Sequence, residues 1–260
     1  MTSLPIAVGY GHDGSLPSDL RSAWYIARRA ALESLRDPMT VGISATWSLV
    51  VPYFIVLFLV HPQTSQFGFA PVGSLGEVIA TFILLVGLMP ASGSLGIAAG
   101  LFAGEKEHGT LLPLLATPAS NRAIFGGKVL GAVLPALLYA ALAEIGYFAE
   151  VSLLLGAETL RQLPLAFAFA MLALVPIEAV LGAALASLIS SRVRTYQSAQ
   201  MLASLVLYPV MAAILGAASH LQRWPALPLL GVVVAMAVGD LLLVVLSAAT
   251  WRREEVLARR

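Results

Sequence analysis

The sequence predicts an all-α, polytopic membrane protein with six transmembrane helices. Three observations lead there. Of the 260 residues, 59% are hydrophobic and only 11% are charged, against roughly 25% charged in an average soluble domain. Mean hydropathy is +0.88. Six runs are long and apolar enough to cross a bilayer, which takes about 20 residues of helix: 40–60, 78–103, 129–155, 163–190, 200–219 and 227–250. The fourth is long enough to tilt or to project beyond the hydrocarbon.

The basic residues orient these spans. Arg21, Arg28, Arg29 and Arg36 precede span one. Lys106, Arg122 and Lys128 lie between spans two and three, Arg192 and Arg194 between four and five, and Arg252, Arg253, Arg259 and Arg260 after span six. Only Arg161 and Arg223 of the 15 Lys and Arg fall on the other side. The expected topology therefore puts both termini in the cytoplasm of a multi-pass plasma-membrane protein. The loop at 61–77, rich in Gly, Pro, Ser and Gln, is the one long outer connection, with room for a small re-entrant piece.

Residues 1–17 hold Gly9, Gly11, Gly14, Pro5 and Pro17 without an apolar core, and read as a flexible tail rather than a signal peptide. A helix is expected over 18–37, capped by Ser18 or Asp19 and ended before Pro38. Leu20, Trp24, Ala27, Ala31 and Leu35 fall on one of its faces, with Arg21, Arg28 and Arg36 elsewhere. A basic amphipathic helix suits the membrane interface, with Trp24 and Tyr25 at headgroup depth. Two roles stand side by side: an anchor that orients span one, or a helix that also docks a partner protein. The six-span domain covers 38–251, and 252–260 form a basic cytoplasmic tail.

The segment 105–128 interrupts the apolar pattern. Gly109 is a natural helix stop, since glycine accepts the left-handed conformation there, so span two is expected to continue to about His108. Thr110 then caps a short helix carrying Leu111, Leu112, Leu114 and Leu115, with Pro113 in its first turn. Thr117-Pro118 starts the next helix, which leads through Asn121, Arg122 and Ile124 into span three. Four leucines on a short helix outside the bilayer need a cover, either headgroups or a protein. Glu105 and Glu107 favour the protein, because an anionic leaflet repels them.

Here the residues resemble a family. Glu105, Lys106, Glu107, Gly109, Thr110, Leu111, Leu114, Leu115, Thr117, Pro118, Ile124, Gly127 and Lys128 match, in order, the signature of ABC-2-type transporter permeases, the membrane subunits of one class of ABC exporter. Leu112 departs from it, since many members carry Glu there. The resemblance extends to the N-terminal helix, the six spans and the position of the insert. It implies that the short helix is a coupling helix. It further implies that Glu105, Glu107, Gly109, Thr110, Leu111, Leu114 and Leu115 face a separate ATP-binding subunit, which binds ATP and Mg. The second polar loop, with Arg194, is another candidate contact, and a simple topology determinant is its alternative reading. A second permease subunit, identical or related, completes the expected assembly within the lipid membrane. No nucleic-acid partner is expected.

Chemistry of the chain's own is not expected. Gly127-Lys128 is followed by Val129 and lacks the glycine spacing of a P-loop. There is no HExxH and no GxSxG, and no cysteine. No metal or cofactor site is therefore expected, and the chain reads as a transporter subunit rather than an enzyme. Glycines 87, 93, 96 and 100 read as points of close helix packing. Pro90, Pro135, Pro176 and Pro209 fall inside four spans and free backbone carbonyls there.

Glu144, Glu150, Glu178 and Asp240 fall within or near spans, where a mid-membrane carboxylate costs about 2.5–3.5 kcal/mol on the lenient scale. Glu144, Glu178 and Asp240 are candidates for a substrate path or a proton- or cation-sensitive element; bundle-stabilising hydrogen bonds are the alternative. Two rival functions follow from the sequence. One is an ion- or proton-coupled secondary transporter, suggested by these carboxyls. The other is a non-transport membrane scaffold.

Overall fold

The structure, a computed structural model, describes residues 16–60, 74–109, 119–190, 192–193 and 195–250. Among them all regular structure is helical. An N-terminal helix, Leu16–Arg36, precedes six spans: Pro38–Phe58, Leu75–Glu107, Asn121–Leu155, Leu165–Ser190, Tyr196–Ala218 and Ala226–Thr250. Helix Tyr196–Leu221 carries span five slightly further. Spans two and three run 33 and 35 residues. At 1.5 Å per residue each is about 50 Å long, well beyond a hydrocarbon core of about 30 Å.

The spans form an inner and an outer set. In spans two, three and four, 61, 56 and 50% of the most apolar stretch is buried, against 22, 22 and 11% in spans one, five and six. The inner three meet through small residues. A Cβ on Gly87 of span two would lie 2.4 Å from Val175 of span four, and one on Gly182 of span four would lie 2.8 Å from the Ser94 hydroxyl of span two. Such close approach is how apolar helices gain dispersion contact where lipid offers no hydrophobic drive. The Tyr147 hydroxyl of span three donates to the Ile79 carbonyl of span two, 3.0 Å away.

Local signals account for most helix ends. Asp37 caps span one, its carboxylate accepting from the Thr40 amide, with Pro38 in the first turn where its missing N–H costs nothing. Ser74 and Glu77 form a reciprocal capping box at the start of span two. This starts the span three residues earlier than its hydropathy suggests. Next to it, a Cβ on Gly76 would lie 2.1 Å from the Gln162 carbonyl, so the first turn of span two presses against the short 3-10 helix Ala157–Gln162.

Several expectations are corrected. The N-terminal helix begins at Leu16, so Ser18 and Asp19 lie inside its first turn. The helix entering span three starts at Asn121, capped by the Ser120 hydroxyl on the Ala123 amide at 3.1 Å, whereas Ala119 and Ser120 are not helical. A start at Thr117-Pro118 thus does not run on into span three. Pro135, Pro176 and Pro209 sit within continuous helices, and only near Pro90, at Ser92, does the α-helix break. Gly93 has nothing within 4 Å of a built Cβ, unlike Gly87 and Gly96.

Candidate functional site

One end of the bundle gathers the N-terminal helix, the end of span two, the start of span three and the loop between spans four and five. We call it the signature end. Span two changes pitch as it arrives: Gly100–Gly104 form a π turn before the last helical residues Glu105–Glu107. Such bulges concentrate at functional sites. Gly109, with φ of 70°, then ends the helix in the left-handed region, as the sequence predicts.

Lys128, about two turns inside span three, is only 1% exposed. Its ammonium donates to Glu105 at 2.7 Å and to the carbonyl of Leu101 in the π turn. It also lies 5.3 Å from the centre of the Phe102 ring, which is itself 5.5 Å from Phe125. A buried cation must be paired and hydrogen-bonded, and all of these partners come from the π turn or the residue just after it. The Lys of the signature is therefore a strut between spans two and three.

The glycine before it has an equally specific task. A Cβ on Gly127 would lie 2.7 Å from the Ala23 carbonyl and 2.8 Å from Ile26, and one on Gly131 would lie 2.6 Å from the Ala30 methyl. The N-terminal helix lies in this Gly-x-x-x-Gly notch, burying Ala27, Ala30 and Ala31. Ile26 lies against Gly127 beside these alanines. The larger apolar residues expected on the same face turn outward: Leu20 is 70% and Trp24 55% exposed. Lipid headgroups are the natural cover for them.

Glu107 remains exposed and accepts from the Tyr196 amide at 2.9 Å. A carboxylate at a helix N-terminus is favoured both by the unpaired amides and by the helix dipole. Thr195 caps the same turn through Ser198. The Tyr196 ring lies along span two, in contact range of added methyls at Gly96, Gly100 and Gly104. Lys106 donates to the Val193 carbonyl at 3.4 Å. Glu105, Lys106 and Glu107 thus all make contacts within the chain. Thr110, Leu111, Leu114, Leu115 and Arg194 lie outside the described residues.

The three candidate carboxyls lie midway along their spans, apart from the signature end. Glu144, Glu178 and Asp240 are 6, 2 and 7% exposed. Both oxygens of Glu144 and Glu178, and Oδ2 of Asp240, are buried without a hydrogen-bond partner. The Glu144 carboxyl abuts Gly87, 2.6 Å from where a Cβ would stand. Inter-helix hydrogen bonds, one reading of these residues, are thus not made by them in this structure. Among the described residues no three His, Asp or Glu groups converge to hold a metal ion. Sequence reasoning missed Phe102, Tyr196 and Gly131. The four-residue spacing of Gly127 and Gly131 was the available signal for the last.

The family model described as ABC-2 family transporter protein matches residues 24–228. The chain belongs to the ABC-2 transporter family. The match runs from the N-terminal helix to the start of span six, so it includes every element of the signature end. Comparison with curated proteins gave no match. As an ABC-2 chain with six apolar helices it is a multi-pass membrane protein and a membrane transport component, a permease.

Proposed function

We propose that this permease is the membrane subunit of an ATP-driven exporter in the plasma membrane. It couples ATP hydrolysis by a separate ATP-binding subunit, which carries ATP and Mg, to substrate translocation. The assembly would contain two permease subunits, identical or related, and the chain itself would perform no catalysis. The basic-residue distribution supports a cytoplasmic position for the signature end and both termini.

One observation carries this reading. The described residues before and after the insert 110–118 are joined by the Lys128–Glu105 pair. Residues flanking the same insert also hold span five, through Glu107 and Tyr196, and the N-terminal helix, through Gly127 and Gly131. A push delivered to the insert would therefore reach spans two, three and five and the N-terminal helix together. Two states biased from a distant nucleotide site are what such coupling requires. Thr110, Leu111, Leu114, Leu115 and Arg194 are the proposed contacts with the ATP-binding subunit. Gly109 would aim the insert, and Glu105 and Glu107 would act mainly through the base they build.

The test is co-purification of the permease with soluble proteins of its host, followed by ATPase and transport assays. Replacing Leu111, Leu114 and Leu115 with serine should release the ATP-binding subunit while leaving the six-span bundle monodisperse. Transport that continues without nucleotide would overturn the reading in favour of an ion-coupled transporter, for which the buried carboxyls are the motivating observation.

A further inference from the structure

Span six is the least buried span, and Leu229, Asp240 and Ser247 are its buried residues. The Ser247 hydroxyl donates to the Ala184 carbonyl of span four at 3.3 Å. Spans four and six run in the same direction. Seven residues back along each, about 10 Å at helical rise, Asp240 therefore stands across from the step between Ile177 and Glu178. Two buried carboxyls thus stand at one level of the neighbouring spans four and six, and the oxygens of Glu178 have no hydrogen-bond partner.

The surroundings offer no counter-charge. Against span four pack spans two, three, five and six. Span two carries only Glu77 at its far end before the signature residues, and span five only His220 at its end. Span three contributes Glu144 and, further off, Glu150; Arg122 sits in its first turn, at the signature end, and Lys128 is committed to Glu105. Glu144 lies against Gly87 of span two, as does Val175 of span four, one turn from Glu178. One turn the other way, at Gly182, the Ser94 hydroxyl is fully buried and has no partner. It is a second unfilled polar group beside the pair.

Two ionised carboxylates in so apolar a place repel and lose their hydration. A ligand must remove charge. A hard metal cation wants about six oxygens, more than this site supplies. A proton needs two. We propose that Glu178 and Asp240 form a proton-binding site between spans four and six. At least one carboxyl holds a proton in the docked state, and its loss loosens span six. On binding, a carboxylate takes up one proton and becomes a neutral carboxylic acid, which removes one of the two negative charges. On release, the proton leaves and two carboxylates remain. Nothing in this depends on the nucleotide-coupled reading.

The test uses the permease alone in lipid nanodiscs, without nucleotide or any ATP-binding protein, so that its failure says nothing about coupling. Infrared difference spectra between acid and alkaline pH are recorded for the wild type, Glu178→Gln, Asp240→Asn and, as a surface control, Glu33→Gln. A protonated-carboxyl band at neutral pH, lost or shifted in the first two variants and unchanged in the third, is expected. A second measurement reads the loosening. The chain has no cysteine, so Ser247→Cys provides a single thiol in the interface and Leu246→Cys an exposed reference. The labelling ratio of the two should rise several-fold with pH in an otherwise wild-type background and stay flat with Glu178→Gln. A neutral-pH spectrum without that band, or a band untouched by both substitutions, would overturn the proposal. So would a band abolished by added sodium or potassium ions, which would assign the site to a metal cation.

Discussion

The Lys128 ammonium of span three rests 2.7 Å from the Glu105 carboxylate at the end of span two, with Glu105 still a quarter exposed. Removing one partner strands the other, and the stranded group here is a lysine with almost no access to water. Glu105→Ala should lower stability on the order of 2 kcal/mol, below the range for a fully buried pair because Glu105 keeps contact with solvent. Lys128→Met combined with Glu105→Ala should recover much of that loss. Thermal midpoints of Glu105→Ala, Lys128→Met and the double variant decide it. Simple additivity of the single effects would show that the two residues are not coupled.

Gly127→Ala and Gly131→Ala should each push the N-terminal helix off span three, because the added methyl meets backbone or Cβ atoms that cannot turn aside. The expected signature is faster protease cleavage at the exposed Arg28 and Arg29, with the six spans still intact. Gly93→Ala is the control. Its methyl meets nothing within 4 Å, and alanine in a helix is favoured over glycine by about 1 kcal/mol. Equal cleavage in all three variants would refute the notch.

At the other end of the bundle, Gly76→Ala should be among the costliest single-methyl additions. The methyl would fall onto the Gln162 carbonyl, which belongs to backbone on both sides. Overpacking of this kind typically costs about 1–3 kcal/mol. A thermal midpoint equal to that of the wild type would show that the 3-10 helix yields freely.

Asp37 makes a prediction about acid. The Thr40 hydroxyl, and then the Thr40 amide, hold its carboxyl below the usual carboxylate range. A group whose folded value is depressed stabilises the fold fully above its unfolded value of about 3.9. That contribution is lost as pH falls through the lower, folded value. Stability curves for the wild type and Asp37→Asn should therefore converge at acid pH and separate above it. Parallel curves throughout would remove Asp37 from the acid limb.

Much of this was legible from residue types alone. Six apolar runs and the stop at Gly109 are local properties, and each helix carries its own signal for them. The signature could be matched by residue order, but its physical content could not be read from that order. Lys128 follows two glycines in a sequence that looks like the end of a loop. Nothing local says that its charge is buried, since the partners are 23 and 27 positions earlier. The same holds for Trp24 and Ala30. A helical wheel groups residues by angle, but it does not say which part of the apolar face meets the Gly127–Gly131 notch. Ser120 displaced Thr117 as the cap leading into span three, a choice between two adequate caps that depends on where the chain must enter the bundle.

The Lys128–Glu105 contact also closes a ring of chain, from residue 105 round to 128, without a covalent bond. In such a ring the entropic cost of closure grows only with the logarithm of its length, about 0.6 kcal/mol for each doubling. The clasp would therefore tolerate inserts of quite different size beneath the same bundle. A permease built this way can have its insert lengthened or shortened to suit a new ATP-binding subunit, while the spans that the clasp joins are left as they are.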